Sequence, residues 1–124
     1  MEGLTQGEQL TLIYRSDKDE DNKIKSFIES LPGYVVRVVD LVRETLSESQ
    51  LEELAHKMKT HIEDLIDPSS DDRISVHHQG QKVLNRKDML SLMARDPKIL
   101  KTPFVVIGNQ ASKFASAYKL FRKG

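Results

Sequence analysis

The chain contains no cysteine, and that absence alone excludes disulfides, thiolate metal sites and cysteine nucleophiles. All thiol redox chemistry carried by this chain alone is excluded. It also lacks a charge imbalance: 19 basic and 19 acidic side chains leave a formal net charge of zero, which argues against a nucleic-acid binder driven by bulk charge. No apolar run reaches the roughly 18 residues needed to span a membrane, so no membrane partner is expected. The start, MEGLTQGEQL, has neither a basic n-region nor an apolar h-region, and a cytoplasmic location is expected. No internal repeat or low-complexity segment is found. What the 124 residues do contain is 38% hydrophobic and 31% charged side chains, an ordinary globular balance that suits one domain with a real core and is too short for two.

Hydrophobic patterning orders the chain. Residues 1–8 read as a flexible lead-in. Gln9 to Tyr14 is a β-prone run that opens into the polar stretch RSDKDEDNK. Ile24, Phe27, Ile28 and Leu31 recur at helical spacing and predict a helix over Glu20 to Leu31, stopped by Pro32-Gly33. Tyr34 to Val39 is almost continuously apolar and β-branched, which suits a strand covered on both faces. A strand, a helix and a strand within about thirty residues make a parallel βαβ crossover.

Asp40 to Leu46 reads as a connector. Ser47 with Gln50 forms a capping box for a helix carrying Leu51, Leu54, Ala55, Met58, Ile62, Leu65 and Ile66, long enough to bend or break. Asp67 to Asp72 is polar and turn-forming. Asn85 caps a helix whose buried face is Met89, Leu90, Leu92 and Met93, ending before Asp96-Pro97. Phe104 to Ile107 is an apolar strand, Gly108-Asn109 a two-residue hairpin turn into Gln110 to Phe114, and Ala115 to Arg122 a last helix packing through Tyr118, Leu120 and Phe121.

The order βαβ, helical middle, β-hairpin and helix is that of the thioredoxin fold. Ile13-Tyr14-Arg15-Ser16-Asp17-Lys18-Asp19, then Ser47-Glu48-Ser49-Gln50-Leu51, then Pro103-Phe104-Val105-Val106-Ile107-Gly108, taken in that order, resemble the arsenate reductase and Spx group of the thioredoxin superfamily. The resemblance runs through nearly the whole chain, although each motif is short. It implies an α/β fold with a mixed four-stranded sheet, a cis Thr102-Pro103 bond, and a groove where the residue before that proline offers its backbone to an extended peptide or glutathione. It also puts Asp19 at the position of the family's catalytic cysteine. Thr102 stands where the family often has an arginine before the proline, and Lys113 is the only cation between Gln110 and Phe114.

These departures bear on activity. An arsenate reductase needs a thiolate to attack the oxyanion and cations to hold it. Asp17, Asp19, Glu20 and Asp21 instead surround the helix start, where they suit the helix dipole and repel arsenate or phosphate.

Other readings of the same residues stay open. Asp17, Asp19 and Asp21, followed by Asn22 and Ile24, match the first half of a calcium-binding EF-hand loop, although the twelfth position is Ile28 and Glu29 comes one residue late. The plain alternative is a solvated acidic cap on the helix. Pro103 can equally begin an edge strand, where a missing N–H is harmless. His56 and His61 are five apart on a helix, and adjacent His77 and His78 on a strand point to opposite sides, so no metal spacing emerges. No Ser-His-Asp set or nucleophile elbow stands out. The Leu51 to Ile66 stripe suits a buried core face or a partner helix.

The expectation is a binding or regulatory module without its own redox centre and without a cofactor. It uses Ser16, Asp17, Lys18, Asp19, Asn22, Thr102 and Pro103 to hold a protein partner or a small thiol or peptide ligand. The alternatives are turnover of glutathione adducts or oxyanions with a partner's thiol, and Spx-like regulation of transcription through protein contacts.

Overall fold

Strand β1, Glu8–Tyr14, is paired along both edges, and Leu10, Leu12 and Tyr14 on one of its faces are all buried at 6% exposure or less. The structure, a computed structural model, describes residues 8–67 and 85–113. Expectations for residues 1–7, for the loop beyond Asp67, for His77 and His78, and for Phe114 and the helix over 115–122 lie outside the described residues.

Helix α1, Asp19–Glu29, follows an extended Lys18 and carries Asp19, Glu20 and Asp21 in its first turn, complementing the positive end of the dipole. It ends two residues before the predicted Leu31. Ser30 caps it, its hydroxyl donating to the Phe27 carbonyl at 2.6 Å, and Gly33 at φ +86° turns the chain back. Strand β2, Tyr34–Asp40, then runs parallel to β1 in a register from Glu8 with Tyr34 to Tyr14 with Asp40.

Strand β3, Phe104–Ile107, pairs antiparallel with the other edge of β1, and β4, Gln110–Lys113, pairs antiparallel with β3. The two-residue turn between them has Gly108 at φ +60°, the positive angle such a hairpin requires at its first position. The sheet order is β2-β1-β3-β4, a mixed four-stranded sheet with the thioredoxin-like topology the sequence implies. Ile28 of α1 packs on Leu10, Leu12, Tyr14 and Val105, with Ile24, Phe27, Tyr34, Val36 and Ile107 around them.

Two expectations are corrected here. β2 is not covered on both faces: among the described residues it is an edge strand, with Val35 and Val38 exposed, and its apolar run reflects β-propensity rather than burial. Pro103 does not begin an edge strand, since the strand it precedes lies between β1 and β4.

By its contacts the chain divides into two units, Met1–Glu44 with Thr102–Gly124, which contains the sheet, and Thr45–Lys101. In the second, α2 spans Glu48–Met58 and opens on the expected capping box: Gln50 N–H donates to Ser47 Oγ at 3.1 Å and Ser47 N–H to Gln50 Oε1 at 2.8 Å. The stripe breaks at Lys59, at φ +58°, and resumes as a 3₁₀ turn, Ile62–Leu65. Helix α3, Arg86–Arg95, is capped by the Asn85 carboxamide oxygen, which accepts from Asp88 N–H at 2.8 Å. Leu51, Leu54, Ala55, Ile62, Leu65 and Ile66 are buried and Met58 is half-buried, so this stripe is core. Ile66 bridges Leu100, with Asp67 N–H to the Ile99 carbonyl at 2.7 Å and Lys101 N–H to the Leu65 carbonyl at 2.8 Å.

Candidate functional site

The loop from β1 to α1 begins where the parallel ladder ends, and two carboxylates fasten it. Arg15 N–H donates to Asp21 Oδ2 at 3.0 Å, and the next amide, Ser16 N–H, donates to Asp40 Oδ1 at 3.0 Å. One clamp comes from the first turn of α1 and the other from the last residue of β2, 24 positions away. Asp40 Oδ1 also accepts Val42 N–H at 3.0 Å, so it holds the chain leaving β2 as well. Lys18 N–H closes a turn onto the Arg15 carbonyl at 3.2 Å, and the Asn22 carboxamide donates to the Ser16 carbonyl at 2.8 Å. Arg15, Ser16 and Lys18 are thus each held through backbone groups.

Both clamping carboxylates are buried, Asp21 at 1% and Asp40 at 8% exposure. Burial by itself raises the pKa of Asp40. The Ser16 hydroxyl, the Val42 and Ser16 N–H groups and the Arg43 guanidinium outweigh it and hold the carboxyl below its ordinary 3.8. Arg43 Nε stands 3.5 Å from Asp40 Oδ2.

Lys18 joins this loop to the segment before β3: its Nζ donates to Thr102 Oγ1 at 3.3 Å and lies 4.0 Å from Asp21 Oδ1. The Thr102-Pro103 peptide is cis. The β1–β3 ladder stops at Ile13 with Phe104, so Thr102 lies past its end, and among the described residues no backbone hydrogen bond engages Thr102. Thr102 and Pro103 are half-buried.

Of the residues singled out in the sequence, the structure brings Ser16, Lys18, Asn22 and Thr102 into one hydrogen-bonded group, with Pro103 adjoining. Asp17 pairs with the Arg15 guanidinium. Asp19 is the first residue of α1 and is exposed. The carboxylates of Asp17, Asp19 and Asp21 do not converge as an EF-hand requires: one holds an arginine, one faces water and one turns inward to the Arg15 amide. Among the described residues no group of three or more His, Cys, Asp or Glu side chains is placed to hold a metal ion. His56 and His61 are exposed and belong to the second unit. The solvated-cap reading fails at Asp21, the buried one, because its carboxylate satisfies a backbone donor that would otherwise be buried unpaired.

Asp40 is the residue that sequence reasoning missed, having been absorbed into a connector. Its signal is visible afterwards: it is the lone acid closing a β-branched run, in register with the Tyr14 that opens the loop. The local cations are engaged, Arg15 by Asp17 and Lys18 by Thr102 and Asp21, and Lys113 stands exposed at the end of β4 opposite Phe104. An incoming oxyanion would have to compete with carboxylates already in place.

The sheet order, the loop opening α1 and the proline before β3 together make a thioredoxin-like fold, here in a chain with no cysteine. Solved structures share this fold. The arsenate reductase of Vibrio cholerae superposes with a TM-score of 0.77 at 14% identity, over 94% of this chain and 98% of that one. A provisionally named arsenate reductase from Yersinia pestis gives 0.76 at 18% identity, over 91% and 98%. An arsenate reductase (ArsC) related protein from Brucella melitensis gives 0.68 at 15% identity, over 98% and 100%. No protein-family profile matches the sequence, and no curated protein does. At these identities the likeness is one of fold. No described helix is long and apolar enough to cross a membrane.

Proposed function

We propose that this chain is a non-catalytic binding module that uses the surface between the Arg15 to Asn22 loop and Thr102-Pro103. Its ligand is an extended peptide segment, of which glutathione is the smallest convenient probe. The observation that carries this reading is Thr102: it is half-buried, its side chain is held by Lys18, and its backbone groups are unengaged by the described residues. A peptide laid alongside can take up such groups as an added strand does. The absence of any thiol, and the engagement of Arg15 and Lys18 by carboxylates, support a role without oxyanion chemistry.

Titration of the pure protein with reduced glutathione, followed residue by residue by NMR, tests this. The expected result is a set of saturable amide shifts confined to Ser16 to Asn22 and Thr102 to Phe104, weakened by Lys18→Ala. Arsenate turnover in the presence of glutathione is expected to match the protein-free rate. Turnover above that rate that Asp19→Ala abolishes would establish an enzyme instead.

A further inference from the structure

Asp19, Glu20 and Asp21 follow one another in the first turn of α1 and differ in what surrounds them. Asp19 and Glu20 are exposed, where water and salt screen their charge, whereas Asp21 is 1% exposed. A buried carboxylate is costly unless it is hydrogen-bonded and paired. Its Oδ2 accepts Arg15 N–H at 3.0 Å, a bond that an uncharged amide oxygen makes as well. The loop therefore uses the acceptor and not the charge. Its Oδ1 stands 4.0 Å from Lys18 Nζ, too far for a hydrogen bond but within the range of an ion pair.

The position of Lys18 gives that charge a use. Its Nζ donates to Thr102 Oγ1 at 3.3 Å, which sets an ammonium beside the residue whose open backbone marks the proposed ligand surface, and its side chain is 40% exposed. An ammonium in that place without a counter-charge would attract anions. Of the cations next along the chain, Arg15 pairs with Asp17, and Lys101 lies close enough to Asp64 to help lower the pKa of that carboxyl.

We propose that Asp21 sets the charge specificity of this surface: by offsetting Lys18 it reserves the surface for uncharged or cationic peptide segments and turns oxyanions and other anionic ligands away. The inference rests on the ligand surface proposed above and adds the class of ligand to it. Thr102 offers backbone pairing that any extended peptide can use. Asp21 acts through Lys18 and removes the added attraction that an anion would otherwise find there. Glutathione, net negative at neutral pH, is then held through its backbone and less tightly than an uncharged peptide of the same length.

Titrations with inorganic phosphate and with reduced glutathione at low salt, followed by NMR at the Lys18 and Thr102 amides, test this. The proteins compared are the wild type, Asp21→Asn, and Asp21→Asn combined with Lys18→Gln. Asparagine keeps an oxygen for Arg15 N–H and removes the charge. The wild type should show no saturable shift with phosphate. Asp21→Asn should gain one and should bind glutathione about threefold more tightly or better, the effect of removing a unit charge roughly 6 Å from an anion in water-like surroundings. Both gains should fade at high salt and disappear when Lys18→Gln is added. A purely structural role for Asp21 would weaken glutathione binding instead. Saturable phosphate binding by the wild type overturns the proposal, and so does a folded Asp21→Asn that binds neither anion more tightly. Should Asp21→Asn fail to fold, the wild-type phosphate titration decides. A wild type that ignores glutathione, with phosphate binding gained in Asp21→Asn, would overturn the peptide reading and leave the role of Asp21 standing.

Discussion

Asp40 shows how one side chain can position a loop to which it does not belong. Its Oδ1 accepts amides from Ser16 and from Val42, tying the end of β1 to the exit of β2. Asp40→Ala leaves both donors without their acceptor, and the expected loss is about 1–3 kcal/mol of unfolding free energy, read by urea denaturation at neutral pH. The folded-state pKa is depressed, so the stabilisation is fully present above the unfolded carboxyl value and is lost as pH falls through the lower folded value. Stability should therefore decline as pH drops below about 4. In Asp40→Asn that acid-dependent decline should be shallower than in the wild type, by the same denaturation measured across the acid range.

At the scale of the element, helix ends are where local chemistry was most readable. The Ser47 and Gln50 capping box formed as the spacing implies, because both bonds lie within four residues and need no distant partner. Ser47→Ala should cost about 1 kcal/mol by thermal or chemical unfolding. The other end of α2 was less legible: a lysine, not a glycine, takes the left-handed conformation at position 59, φ +58°. A β-carbon is disfavoured there, so Lys59→Gly is expected to raise stability by up to about 1 kcal/mol in the same assay. A lower melting temperature for this variant would contradict that account. Strand β2 marks the limit of pattern reading. A continuous apolar run fits a strand covered on both faces and an edge strand alike, and only its place in the sheet order separates them.

For the whole molecule, equal numbers of acidic and basic side chains mean that no net repulsion keeps copies apart near neutral pH. Solubility should pass through a minimum close to neutrality and rise on either side while the fold persists, as turbidity against pH would show. A solubility that rises smoothly through neutrality would count against this view. The second unit, Thr45–Lys101, is inserted in sequence between β2 and β3, so the β1–β3 pairing joins residues roughly a hundred positions apart. Such long-range pairing is what local patterning cannot report.

The sequence alone determined that this chain has no thiol of its own, the order of the described strands and α-helices, the caps of α2 and α3 and the hairpin glycine, because each depends on residue type or on neighbours within a turn. The ordered combination of short motifs was enough to imply the thioredoxin-like sheet. Only the tertiary structure decided which acids are buried. Asp17, Asp19 and Asp21 look alike in sequence, yet one pairs with Arg15, one faces water and one is sealed against the Arg15 amide. The same holds for Asp40 and Ser16, 24 residues apart, and for Lys18 and Thr102, 84 apart. Burial and pairing of a polar group are properties of what the fold brings to it, and that information is spread over the whole chain.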